Sequence, residues 1–111
     1  MTKYEKPDLL HGTLDLLILR ALALGPLHGW GVAKRIQQMS QDVLRVNQGS
    51  LYPALYRLED RGWIAGDDDV SAEGRRIKLY TLTAAGRRQL TQEVAAWRLF
   101  AGAIESVLGP T

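Results

Sequence analysis

The sequence predicts a mainly α-helical α+β fold with one small β-hairpin. Three observations predict it. Apolar residues recur at the helical period in three segments before residue 62. Two β-prone segments, 63–65 and 75–83, flank a polar stretch. A heptad spacing then runs from Leu90 to Leu108. A chain of 111 residues fits one compact body and leaves little room for a second.

The first helix is expected to open near Thr13, with Thr13 and Asp15 as capping or first-turn residues. Leu14, Leu17, Ile18, Ala21 and Leu22 form its stripe, and Leu16, Leu19 and Leu24 add apolar surface outside it. A helix so apolar on all sides needs cover on all sides, which points to a second subunit. Gly25-Pro26-Leu27-His28-Gly29 reads as a turn. A second helix follows from Trp30 to Ser40, with Val32, Ile36 and Met39 on one face. Residues 42–47 form a short link with a minor extended piece at Leu44-Arg45-Val46.

The third helix reads QGSLYPALYRLEDRG over residues 48–62. Leu51, Leu55 and Leu58 make its buried face, Pro53 is expected in the first turn, and Gly62 ends it. Its outward face offers Ser50, Pro53, Tyr56 and Arg57. Trp63-Ile64-Ala65 and Arg75–Thr83 then pair as a hairpin around a polar loop at residues 67–74. The last helix spans residues 84–108. Leu90, Val94, Trp97, Ala101, Ile104 and Leu108 alternate steps of four and three along it. A seam this regular requires a partner helix, and no other helix of the chain is free to supply one.

Composition narrows the function classes. Apolar residues make up 46% and charged residues 23%, which excludes a disordered tail, a collagen-like repeat and a membrane protein. With no cysteine there is no disulfide framework, thiolate metal site or cysteine nucleophile. His11 and His28 are too few for a zinc centre, and consecutive aspartates at 67–69 cannot all face one ion. His11 is expected to be exposed, and His28 to be satisfied by backbone groups in a turn. No catalytic constellation and no phosphate-cradling glycine loop is present, so neither an enzyme nor a cofactor is expected. The apolar run Leu9–Leu24 is too short and interrupted to span a membrane, and its flanks do not suit a signal peptide. A cytoplasmic protein is the expectation. Net charge is only +2, so the position of the basic residues matters more than their number.

That position is informative. Two helices joined by a short link, then a hairpin, make a winged helix-turn-helix over residues 9–83, followed by a dimerisation helix over 84–108. In this arrangement the third helix enters the major groove of double-stranded DNA and the wing lies along the backbone. Such a helix needs one apolar side, hydrogen-bonding groups on the other, and flanking cations for phosphates. Ser50 and Arg57, with Arg75, Arg76 and Lys78 on the wing, meet that need. The aspartates at 67–69 would oppose it unless they sit before the tip and away from the DNA backbone. A winged helix used for protein contact, without DNA binding, is the rival. It would carry an apolar reading face, which Ser50, Pro53 and Arg57 argue against.

The segments GTLDLLILRAL (12–22), GPLHGW (25–30), GSLYPALYRLEDRGWI (49–64) and RIKLYTLTAAG (76–86) together resemble a PadR-family transcriptional regulator. The resemblance covers most of the chain. It implies a cytoplasmic repressor that binds a pseudo-palindromic operator as a homodimer and is released by an inducing signal. It maps Gln48, Ser50, Tyr52 and Pro53 to the start of the recognition helix, with Tyr52 as a phosphate-contacting hydroxyl. It maps Arg75, Arg76 and Lys78 to the basic arm of the wing. Trp97 resembles a tryptophan with which a multidrug-sensing short member stacks flat aromatic drugs, and Phe100 would help line such a site. The same position also lies on the dimer seam. Trp30 and Gly31 depart from the tyrosine and glutamate that the family often has there.

Overall fold

The computed structural model describes residues 5–110, with side chains from residue 13 onward. Seven elements follow one another: α1 (Glu5–Ala23), β1 (Leu27–His28), α2 (Gly29–Met39), α3 (Gln48–Asp60), β2 (Ile64–Val70), β3 (Arg76–Leu82) and α4 (Ala84–Leu108). The strands form one antiparallel sheet in the order β1-β3-β2. The expected α+β class, four helices with a small sheet, is the one observed.

The core lies where α1, α2 and α3 meet the base of the sheet. Leu14, Ile18 and Leu19 of α1, Val32 of α2, Leu51, Leu55 and Leu58 of α3, and Ile64 of β2 are fully buried. Tyr80, Leu82 and Leu90 close it from the sheet and α4. Each of these side chains is worth roughly 1.5–3 kcal/mol on burial.

Several elements differ from expectation. α1 starts at Glu5, well before Thr13. Pro7 falls in its first turn, where a missing N–H is harmless. Thr13 and Asp15 are therefore interior residues, not caps. Exposure of His11 lies outside the residues whose side chains are described. The expected turn at 25–29 contains β1, because β3 offers an edge whose backbone groups need partners: Leu27 pairs with Tyr80 and His28 with Leu79. β2 continues through the three aspartates, with Asp67, Asp68 and Asp69 opposite Leu79, Lys78 and Ile77. Ladder bonds and a facing lysine outweigh the poor strand propensity of aspartate. The tip is thereby shortened to residues 71–75, closed by Ser71 N–H to the Arg75 carbonyl at 2.9 Å, with Gly74 at φ +83. Arg75 belongs to this tip and not to the strand. The link piece Leu44-Arg45-Val46 forms no strand; Leu44 and Val46 instead pack on the core. Pro53 stands one turn further into α3 than expected, where it withholds the donor that the Gly49 carbonyl would accept.

α4 is seated by one compact joint. The Thr83 hydroxyl accepts from the Gly86 N–H at 3.0 Å and lies 2.7 Å from the Gly62 carbonyl. A Cβ at Gly86 would collide with the Trp63 carbonyl and come within 2.7 Å of Leu82 Cδ1. Beyond Val94 the helix leaves the body. Trp97, Phe100, Ile104 and Leu108 are 42%, 57%, 41% and 65% exposed.

The Gly86 contact yields a prediction of unusual sign. Alanine favours a helix by about 1 kcal/mol over glycine. Gly86→Ala should nevertheless destabilise the fold by about 1–3 kcal/mol, the cost of overpacking. Urea denaturation followed by circular dichroism reads the difference; a stabilised variant would contradict the joint described here.

Candidate nucleic-acid interface

α3 is held at its start by Asn47, whose side chain accepts from the Ser50 N–H at 2.9 Å. Its leucine face is buried, so Gln48, Tyr52, Pro53 and Tyr56 project outward. Tyr52 is also braced from behind. A Cβ on Gly29 would meet its Cε1 at 3.0 Å and its hydroxyl at 3.3 Å, so only glycine lets the ring sit there without displacement.

Between the start of α2, the face of α3 and the wing lies an open cleft of ≈ 360 Å³. Its walls include Trp30, Tyr52, Tyr56, Asp68, Arg76 and Lys78. Tyr80 forms part of its floor, and burial holds its hydroxyl above the usual phenol range. Hydroxyls, ring faces and cations thus share one surface. Tyr56, on the outward face as the sequence predicts, is exposed along this cleft. Asp68 also lines it, so the aspartate run is not held away from the reading surface as expected.

The cations divide into two groups. Arg57 turns back toward α1, where its Nη2 lies 2.8 Å from Asp15 Oδ1. Arg61 Nη1 stands 3.8 Å from the other oxygen of Asp15, and its guanidinium lies over the Trp63 ring at 5.2 Å. Lys78 Nζ donates to both oxygens of Glu59, at 3.2 and 3.3 Å. The Glu59 hydrogen bond holds the Lys78 ammonium above the usual lysine range. The side chains of Arg75 and Arg76 have no ion pair or hydrogen bond among the described residues. His28, expected to be satisfied by backbone, instead meets Asp69: Nε2 to Oδ2 is 3.0 Å. This contact, with a further hydrogen bond from the Val70 N–H, holds the Asp69 carboxyl below the usual aspartate range.

Sequence reasoning passed over Asp15, Glu59 and Trp30 as site residues. Asp15 carried a signal, being an acid within an otherwise apolar helix. Glu59 carried none, because its partner lies 19 positions away on another element. On α4, the seam residue Trp97 and its neighbour Phe100 have ring centroids 6.0 Å apart at an interplanar angle of 50°. Among the described residues no group of three or more His, Asp or Glu is placed to hold a metal ion. Among the same residues no helix is long and apolar enough to cross a membrane.

Helix-turn-helix, wing and an aromatic–basic cleft between them define a winged-helix protein of the transcriptional-regulator class. Residues 18–92 match the PadR-like family of transcriptional regulators, and the chain belongs to that family. It is 38% identical over 78 residues to a transcriptional regulator of Mycobacterium tuberculosis, covering 70% of this chain and 69% of that one. An uncharacterised protein of Lysinibacillus sphaericus is 30% identical over 93 residues, covering 83% and 84%. A regulator structure from Clostridium thermocellum superposes with a TM-score of 0.83 at 25% identity, over 92% of this chain and 99% of that one. Bacillus subtilis PadR, solved in complex with operator DNA, superposes with a TM-score of 0.67 at 26% identity. That match covers 74% of this chain and 46% of the Bacillus protein.

Two predictions follow from the pairs. A double-mutant cycle on Asp15→Ala and Arg57→Ala should give a coupling of about 0.5–1 kcal/mol that shrinks with added salt, as for a half-exposed pair. Asp69 has a folded-state value below its unfolded one. Its contacts therefore stabilise the fold above about pH 4 and are lost as pH falls through the folded value. Asp69→Asn should accordingly lessen the loss of melting temperature on acidification from pH 5 to pH 3. An unchanged acid limb would show that the His28 contact does not persist in solution.

Proposed function

We propose that this protein is a homodimeric repressor that binds a pseudo-palindromic operator in the cytoplasm. The observation that carries the reading is that Tyr52 and Tyr56 of α3 share one cleft with Arg76 of the wing, whose side chain has no partner among the described residues. Gln48, Ser50, Tyr52 and Pro53 face the major groove, and Arg75 and Arg76 neutralise backbone phosphates. Arg57 and Lys78 are the remaining candidate contacts; each reaches a phosphate only by exchanging its carboxylate partner. The operator complex of Bacillus subtilis PadR supports the DNA-binding part of the reading.

The dimer is proposed to form through α4. Leu90 is buried and Val94 packs on the chain's own core, while Trp97, Ala101, Ile104 and Leu108 continue the same seam outward. A second copy offers the same stripe, so one two-fold axis covers both. Two reading helices related by that axis call for half-sites about one helical turn apart. Trp97 on the seam and Phe100 beside it, both exposed, supply aromatic faces on which a flat aromatic ligand can stack between the two copies. A ligand that prefers a different angle between the copies would release the operator.

With duplex DNA from upstream of its own gene, the protein should shift as one complex in a mobility assay. Arg76→Ala should weaken binding and reduce the slope of log K against log salt by about one unit. An unchanged slope removes Arg76 from the phosphate contacts. Ile104→Glu should convert a dimer to a monomer by light scattering; a variant still dimeric would place the interface elsewhere.

A further inference from the structure

The geometry points to Glu59 as a residue that sets DNA affinity by occupying Lys78, a carboxylate standing where a backbone phosphate would otherwise stand. This rests on the DNA-binding reading above. Lys78 Nζ is held by both Glu59 oxygens, at 3.2 and 3.3 Å, and not by Asp68, which lies directly across the ladder from it. Glu59 is itself wedged in place. A Cβ on Gly66 would meet Glu59 Oε2 at 3.1 Å and Tyr80 Cε1 at 3.1 Å. The carboxylate thus ties the end of α3 to β3 and packs beside Gly66 of β2, and it holds the ammonium of a lysine that lines the cleft.

The electrostatic consequence is specific. Cations that neutralise phosphates release counterions, and each adds about 0.9 to the salt slope of binding. A lysine already paired to a fixed carboxylate releases none. The pair Glu59–Lys78 therefore behaves toward DNA as a neutral unit, and the wing's effective charge falls to Arg75 and Arg76. Glutamine at position 59 keeps the shape and the bridge to the wing but not the charge. It leaves Lys78 available to a phosphate.

The test uses the full chain and a mixed-sequence 40-base-pair duplex, titrated by fluorescence anisotropy between 50 and 200 mM NaCl. Glu59→Gln should bind more tightly at 50 mM and lose affinity more steeply. The slope should be larger by about 0.9, so the drop across that salt range should be roughly three- to fourfold greater than for wild type. Glu59→Gln/Lys78→Ala should return the wild-type slope. An unchanged slope in Glu59→Gln, or a double variant whose slope falls about 0.9 below wild type, overturns the inference, because Lys78 would then already contact phosphate. If Glu59→Gln does not fold, Lys78→Gln decides: a slope equal to wild type supports the inference, and one about 0.9 lower overturns it. Failure of the wild type to bind any duplex would instead remove the DNA-binding reading.

Discussion

The constraint on which the rest depends is an apolar helix that its own chain cannot cover. α4 is fixed to the body by Thr83, Gly86 and Leu90, and then projects with Trp97, Phe100, Ile104 and Leu108 in solvent. Full burial of such a side chain is worth roughly 1.5–3 kcal/mol, and a part of that is forgone at each of the four. In the dimer proposed above, a second copy related by two-fold symmetry would relieve the deficit. The same symmetry would place two α3 helices toward one duplex. Seating at the Thr83–Gly86 joint would then turn any change in such a pairing into a change in where the two α3 helices point.

The surface around the cleft is governed by internal neutralisation. The chain has 14 basic and 12 acidic side chains, so crude charge predicts little attraction for DNA. What the fold adds is selection. Asp15 takes Arg57, Glu59 takes Lys78, and Asp69 takes His28, while Arg75 and Arg76 keep no partner among the described residues. These pairs also brace α3 against α1 and the wing against α3. The carboxylates that brace this surface are thus the ones that neutralise its cations.

Much of this was legible in the sequence, and the exceptions have physical reasons. The leucines of α3 and the steps of four and three along α4 report burial directly, because helical period and apolar content coincide there. The start of α3 could be placed from the same pattern. β1 could not: two residues carry no periodicity, and their strand exists because β3 needs an edge partner. The extension of β2 through Asp67–Asp69 was hidden because propensity argues against it and only the ladder and Lys78 favour it. The ion pairs were hidden for a different reason. Asp15 and Arg57 lie 42 positions apart, and nothing local links them. Arg57 was therefore read as facing outward, although the fold turns it to α1.

Sedimentation equilibrium of the protein with a duplex carrying its own upstream region tests the central claim most directly. The account predicts two chains per duplex, bound together, with no populated species holding a single chain. One chain per duplex, or a free protein that stays monomeric at micromolar concentration and binds no duplex in dilute salt, would contradict it.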